Sequence, residues 1–231
     1  QAVMVARCPA RPHSAAASVL PSQGAHLVTG AGSALGQAVT RILVERGAPR
    51  VVLALRSRRL AASAAPPAAS STSTASVSCD VSHPAEVVAL LQSVHETAAP
   101  ARLLGMFHLE GVLVEGRAAG LSAGALSRVF APKVSGAAAL HAAAHTAPLR
   151  YFVSASSVAS LLGAARQGPH AAACSWLDTF SEWRRNAGLE AHATQWGEIV
   201  SGSGGGASLP VREGLVALSS RSAVHALASV L

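Results

Sequence analysis

Short apolar runs alternate with amphipathic stretches from residue 25 onward. Residues 26–29 and 50–55 are compact apolar runs that predict β-strands, and residues 38–45 between them predict a helix that ends near Gly47. A glycine-rich turn joins the first strand to this helix. The segment is therefore a βαβ unit, whose crossover is right-handed when its two strands are parallel.

The same alternation continues along the chain. We predict further strands at 76–81, 102–108, 150–154 and 190–195, and helices at 84–98, 121–145 and 170–185, with a candidate break at Pro132. Residues 60–75 predict a surface loop or a degraded helix, residues 201–206 a flexible glycine-serine loop, and residues 211–231 a closing helix. This order predicts an α/β fold, a Rossmann-like doubly wound parallel sheet between two helical layers.

The first 24 residues differ from the rest of the chain. They are basic, rich in Ser and Ala, and free of acidic residues. A transit peptide has this composition, and so does the flexible leader of an excised domain, which we favour. We therefore predict a leader or linker over residues 1–24 and one domain over residues 25–231.

Composition supports this fold and excludes several kinds of partner. Half of the residues are hydrophobic but only 3% are aromatic, so the core is expected to consist of Ala, Val and Leu around a buried parallel sheet. The net charge is +7, but the arginines are scattered and no basic-aromatic pattern or zinc-finger spacing is present, which argues against nucleic acid. A basic surface also suits a phosphorylated cofactor or an acidic carrier protein.

Cysteine content and hydropathy bear on the compartment. Three cysteines, distant in sequence, indicate neither a disulfide framework nor a metal site, and they fit a reducing, cytoplasmic setting, with a plastid as the alternative. No apolar run reaches the eighteen or so residues that span a bilayer, so no membrane partner is expected.

The turn after the first strand carries the first candidate chemistry. Its sequence, TGAGSALG over residues 29–36, places glycines where a backbone can approach a pyrophosphate, ahead of a helix N-terminus with unpaired amide donors. A tight turn without a ligand would explain the same glycines. The position of the turn directly after a first strand favours dinucleotide binding.

Basic residues follow the second predicted strand. Arg56, Arg58 and Arg59 stand where NAD-binding proteins usually carry an acid for the ribose hydroxyls, whereas a basic residue accommodates a 2′-phosphate. The sequence therefore favours NADPH as cofactor. An exposed basic loop without a ligand is the alternative.

From residue 25 to the C-terminus the chain resembles the ketoreductase domains of polyketide and fatty-acid synthases, which belong to the short-chain dehydrogenase/reductase superfamily. The landmarks are TGAGSALG at 29–36, CDV at 79–81, MFHLEGVL at 106–113, APKVSG at 131–136, SSVAS at 156–160 and QWG at 195–197. Their order makes the resemblance specific. It implies NADPH-dependent reduction of a β-ketoacyl thioester on the phosphopantetheine of an acyl carrier protein, beside other synthase domains.

The family uses a lysine, a serine, a tyrosine and an asparagine for catalysis. Lys133, the only lysine in the sequence, and Ser157 match this pattern, whereas His170 and Cys174 stand at the tyrosine and asparagine positions. The serine would bind the substrate carbonyl, and the lysine would lower the pKa of the proton donor. His170 and Cys174 are four residues apart on one helix face, so the geometry is kept while the chemistry changes.

The resemblance also implies a set of cofactor contacts. They are Thr29, Gly30, Gly32, Ser33, Leu35, Gly36, Arg56, Arg58, Asp80, Val81, His108 and Gly111. Glu110 departs from the small apolar residue usual in this stretch, and a buried carboxylate there is expected to need a partner, for which Lys133 is the candidate.

Three functions remain open from the sequence. The leading one is the ketoreductase in which His170 replaces the tyrosine as proton donor. The second is a catalytically impaired, reductase-like scaffold domain of a synthase, which the residues at 110, 170 and 174 favour. The third is a free-standing short-chain dehydrogenase that acts on another carbonyl compound.

Overall fold

Six parallel strands form the central sheet of the computed structural model. The strands are β1 (Ala25–Thr29), β2 (Arg50–Leu55), β3 (Ser73–Ser78), β4 (Leu103–His108), β5 (Tyr151–Ser157) and β6 (His192–Trp196), in the spatial order β3-β2-β1-β4-β5-β6. The structure describes residues 20, 23–56, 71–98, 102–197 and 199–200, together with the backbone of 211–212, 215–216 and 218–219. The strand order confirms the predicted Rossmann-like sheet.

Helices connect the strands. They are α1 (Ala34–Glu45), α2 (Pro84–Ala98), α3 (Ala123–Phe130), α4 (Gly136–Ala143), α5 (Ala159–Leu162) and α6 (Gly168–Asn186), with a π-helical turn at Ala131–Ser135 between α3 and α4. None of the helices that the structure describes is both long and apolar enough to cross a membrane.

The two faces of the sheet bury separate apolar clusters, because side chains alternate along each strand. On β2, Val51, Leu53 and Leu55 pack with α1, whereas Val52 and Ala54 pack with α2 and α4. Neither face of β2 is left polar, which is the pattern of a parallel strand covered on both sides. Because all six strands are parallel, their carboxyl ends lie along one edge of the sheet.

Several predicted boundaries were wrong. The strand β3 begins at Ser73, earlier than predicted, and the predicted helix over 121–145 consists of α3, the π-helical turn and α4. Pro132 lies in that turn: it has no N–H to donate, so its position widens the helix without breaking it. The strand β5 continues to Ser157, which places the serine motif at the strand end.

The predicted closing helix was also wrong where the structure describes it. The backbone forms the short strands β8 (Val211–Arg212), β9 (Leu215–Val216) and β10 (Leu218–Ser219), and β10 pairs with β7 (Ile199–Val200). The strands β8 and β9 pair in an antiparallel register, with Val211 opposite Val216 and Arg212 opposite Leu215. The predicted loop at 201–206 and most of that at 60–75 lie outside the described residues.

Candidate active site

The glycine turn is held together by its own polar groups. The Ser33 hydroxyl donates to the Gly30 carbonyl (2.8 Å) and accepts from the Gly36 N–H (3.0 Å), which makes Ser33 the N-cap of α1. Gly30 has φ +67°, and a Cβ there would lie 2.8 Å from the Leu109 backbone. Only glycine fits this approach, so the turn after β1 lies directly against the segment after β4.

Of the other residues predicted to contact a cofactor in this turn, some pack inside the protein and others are exposed to solvent. Gly36 is buried, and a Cβ there would overlap the Gly30 carbonyl. Leu35 packs against the apolar cluster that includes α1, and Gly32 is half-buried beside the exposed Ser33. The exposed part of the turn therefore consists of backbone and one hydroxyl, at the N-terminus of a twelve-residue helix.

A buried histidine joins β1, β4 and the π-helical turn. The His108 Nε2 lies 3.1 Å from the Lys133 carbonyl, and its Nδ1 lies 3.0 Å from the Thr29 hydroxyl. A carbonyl only accepts, so Nε2 carries the hydrogen and Nδ1 accepts from Thr29. Burial lowers the pKa of His108 to about 4, which agrees with this neutral tautomer.

Lys133 is buried at the carboxyl ends of β4 and β5. Its Nζ donates a 2.9 Å hydrogen bond to the Ala155 carbonyl on β5, two residues before Ser157. Burial lowers its pKa, while the nearby Cys174, Glu110 and Asp178 oppose this effect. A Cβ on Gly111 would lie 3.1 Å from the Lys133 Cε, so the glycine leaves room for the lysine side chain.

Two serines at the end of β5 face different partners. The Ser156 hydroxyl donates to the Cys174 carbonyl of α6 (3.2 Å), which fixes the helix against the strand. The half-buried Ser157 accepts from the Ala159 N–H (3.2 Å) through its hydroxyl oxygen. Its O–H hydrogen is therefore the group that can donate to a substrate oxygen.

His170 and Cys174 form a contact pair on α6. The His170 Nε2 lies 3.6 Å from the Cys174 Sγ. Burial, and secondarily the Lys133 charge, lower the pKa of His170 to about 4. Burial raises the pKa of Cys174 in spite of Lys133, so both side chains are neutral at pH 7. The structure thus brings His170, Cys174 and Lys133 close together, while Ser157 lies two residues after Ala155, the residue whose carbonyl Lys133 binds.

A polar network centred on Asp178, which was not predicted from the sequence, lies on the same helix as His170 and Cys174. The Asp178 Oδ2 accepts from the Ser160 hydroxyl (2.6 Å) and from the Gln195 amide (2.9 Å), which ties α6 to α5 and β6. Its Oδ1 is buried without a hydrogen-bond partner among the described residues. Asp178 lies one helical turn after Cys174, and this i,i+4 spacing was the signal available in the sequence.

A second group of charged residues, near the glycine turn, consists of Arg56, Glu110 and Asp80. Glu110 does not pair with Lys133 as expected: its Oε2 lies 3.5 Å from the Arg56 Nε. The Asp80 carboxylate accepts from the Ser82 N–H (2.9 Å), and Val81 is buried against Gly136. Arg58 and Arg59 lie outside the described residues.

Comparisons with known proteins agree with this arrangement. The family model described as the KR domain matches residues 24–201. A mycocerosic acid synthase-like polyketide synthase of Mycobacterium tuberculosis is 35% identical over 78% of this chain and 9% of its own length. The phthioceranic/hydroxyphthioceranic acid synthase of Mycobacterium bovis is 33% identical over 78% of this chain and 9% of its own length. The chain therefore spans less than a tenth of these relatives.

Solved structures show the same similarity. An A1-type ketoreductase superposes with a TM-score of 0.76 at 28% identity, over 96% of this chain and 48% of its own. The ketoreductase from the first module of phoslactomycin biosynthesis in Streptomyces sp. HK803 superposes with a TM-score of 0.74 at 29% identity, over 91% of this chain and 50% of its own.

Proposed function

The chain belongs to the KR (ketoreductase) domain family, and from this premise we propose that it reduces a β-ketoacyl thioester to the β-hydroxyacyl thioester with NADPH. The proposed substrate is carried on the phosphopantetheine of an acyl carrier protein, and the proposed partners are the other domains of a synthase. The observation that supports the proposal is the hydrogen bond from Lys133 to the Ala155 carbonyl, which anchors the lysine on β5 two residues before Ser157.

The residues around the glycine turn fit a phosphorylated dinucleotide. The turn follows β1 at the point where the strand order reverses between β1 and β4, which is where this fold binds nucleotides. Arg56 follows the neighbouring β2, and its side chain is 45% exposed, so its guanidinium is open to an anion from solvent. A nicotinamide cofactor supplies a hydride when it is bound.

The chain's own residues would then handle the oxygen and the proton. The Ser157 hydroxyl donates a hydrogen bond to the substrate carbonyl oxygen, and the His170 imidazolium delivers the proton to that oxygen as the carbon is reduced. The positive charge of Lys133 stabilises the developing oxyanion. With both ring nitrogens engaged, His108 acts as a positioning residue that fixes the Lys133 backbone.

A specific observation supports a second candidate function, an impaired reductase-like scaffold domain. With a pKa of about 4, His170 carries the required proton in only about one molecule in a thousand at pH 7. The neighbouring Cys174 is a protonated thiol and a weak donor. A domain of this kind would keep the fold and the cofactor site while its turnover is small.

Steady-state assays separate the two candidates. Purified protein with a β-ketoacyl thioester and NADPH is expected to oxidise the cofactor above the background of a Ser157→Ala control. A carrier-bound substrate should react faster than the free thioester, whereas equal rates would favour a free-standing dehydrogenase. Absence of turnover over pH 5–8, with NADPH still bound, would support the scaffold.

The domain limits and location belong to the same proposal. The proposed reductase domain occupies residues 25–231 and the proposed leader or linker residues 1–24, although Leu20 is buried in the apolar cluster that includes α1. The few cysteines support a reducing compartment, the cytoplasm or a plastid. Fractionation of cells that express a tagged full-length protein tests the location.

A further inference from the structure

An ion pair spans the glycine turn. The Arg56 Nε lies 3.5 Å from the Glu110 Oε2, and the exposed fractions of the two side chains are 45% and 7%. Arg56 follows β2 and Glu110 follows β4, and β1 lies between these strands. The pair therefore bridges the carboxyl end of β1, where the glycine turn begins.

The Glu110 carboxylate lies against the turn itself. A Cβ on Gly30 would be 2.9 Å from the Glu110 nitrogen, which shows how closely the two backbones approach. Burial raises the pKa of Glu110, while the Arg56 charge and a hydrogen bond from the Gly30 backbone act in the opposite direction. Arg56 and the turn thus both face this carboxylate, although the proposed function assigns them to cofactor phosphates.

A guanidinium that holds a carboxylate has fewer donors left for a second anion. From this geometry we infer that Glu110 is a specificity-determining residue, whose carboxylate competes with the 2′-phosphate of NADPH for Arg56 and so narrows the preference for NADPH over NADH. The inference rests on the proposed function, in which Arg56 reads the 2′-phosphate. NADH has no 2′-phosphate, so it binds without displacing the carboxylate.

Asp80 is the other acid near Arg56, and it is less suited to this competition. Its carboxylate accepts from the Ser82 N–H and lies 3.7 Å from the His83 Nδ1. These partners hold it at the end of β3, on the far side of β2 from the glycine turn. Glu110 is therefore the residue to change.

Cofactor titration tests the competition. NADPH and NADH are titrated by fluorescence into wild type, Glu110→Gln and Glu115→Gln, the last being a matched loss of one carboxylate five residues further along the same segment. We expect Glu110→Gln to tighten NADPH binding about 3- to 10-fold and to change NADH binding less than about 2-fold. Glu115→Gln is expected to alter neither.

A double-mutant cycle shows whether the effect passes through Arg56. In an Arg56→Gln background, the gain from Glu110→Gln should disappear. Titration of 2′,5′-ADP against 5′-ADP repeats the comparison without the nicotinamide, which removes any contribution from Lys133. Circular dichroism checks the fold, and Glu110→Ala replaces the glutamine variant if the latter is unfolded.

The outcomes are distinct for the inference and for the function on which it rests. If Glu110→Gln leaves the ratio of NADPH to NADH affinities as in wild type, or tightens both cofactors equally, the inference is overturned while cofactor binding stands. If folded wild type and variants bind neither cofactor, the proposed function fails and the inference fails with it.

Discussion

His170 Nε2 lies 3.6 Å from Cys174 Sγ, one helical turn apart on α6, at the positions where the family pattern has tyrosine and asparagine. The contact joins two neutral groups, because burial moves the pKa of the imidazole down and that of the thiol up. The pair lies near Lys133, but at neutral pH neither side chain is in a form that donates a proton readily. This relationship leads to the first two predictions.

Turnover should increase as the pH falls. The required form of His170 is the imidazolium, and with a pKa of about 4 its population rises about tenfold for each pH unit between 7 and 5. Initial rates of NADPH oxidation with a β-ketoacyl thioester, corrected for acid decay of the cofactor, measure this slope. His170→Gln should remove it, and a flat wild-type profile would exclude His170 as the donor.

Restoring the family residues should increase turnover at neutral pH. The double change His170→Tyr and Cys174→Asn is expected to raise kcat by roughly 10²- to 10⁴-fold, the usual effect of a positioned acid. Cys174→Asn alone is the control, since it leaves the donor unaltered. An unchanged kcat in a double variant that binds NADPH normally would show that the defect lies elsewhere.

The single lysine permits a direct measurement of its ionisation. Protein labelled with ¹⁵N-lysine should give one side-chain signal, from Lys133, and its midpoint should lie below the ordinary pKa of 10.5 because burial disfavours the ammonium. A midpoint at or above 10.5 would contradict the buried environment described for this residue.

Lys133→Met tests the contribution of the same group to structure and rate. The variant keeps the length of the side chain and removes the hydrogen bond to Ala155, so the free energy of unfolding should fall by about 1–3 kcal/mol. Turnover should fall at least about 100-fold if the charge stabilises the oxyanion. Urea denaturation and kcat, measured in parallel, separate the two effects.

His26 should make the protein sensitive to acid. It is fully buried in β1, neither ring nitrogen has a hydrogen-bond partner among the described residues, and burial lowers its pKa to about 4. The unfolded chain therefore binds a proton below about pH 6.5 that the native state does not. Stability is lost as the pH falls from about 6.5 to 4, and the loss from His26 reaches about 2 kcal/mol at pH 5.

His26→Leu should remove this contribution. The variant lacks the two unpaired ring nitrogens, so it is expected to be more stable than wild type by about 1–2 kcal/mol at pH 7.5, and by more at pH 5. His95→Leu, at an exposed position on α2, is the matched control. Urea midpoints at both pH values measure the difference, and an equal shift at pH 7.5 and 5 would contradict the assignment to His26.

The fold and half of the site could be read from local sequence. The strand at 26–29, the glycines of the following turn and the helix behind them are contiguous, so their geometry follows from spacing alone. Lys133 and Ser157 could be placed because they lie within short motifs that resemble a known family. The helix bearing His170 followed from its own periodicity.

What could not be predicted depends on contacts between distant segments. The pairing of Glu110 with Arg56, in place of Lys133, is set by the lateral order of β2, β1 and β4, which residue spacing does not give. The short strands after residue 199 failed for a related reason, because pairing to a partner strand overrode the helical spacing of their apolar residues.

The π-helical turn at Ala131–Ser135 makes this architecture sensitive to residue number. Lys133 sends its side chain to β5 and its carbonyl to His108 from this one wide turn. A π-helical turn holds one residue more than an α-helical turn, so deleting a single residue there would restore ordinary winding and remove the wide turn from which Lys133 makes both contacts. Grafting the motif onto another scaffold therefore calls for the whole five-residue turn, because both contacts of Lys133 arise within it.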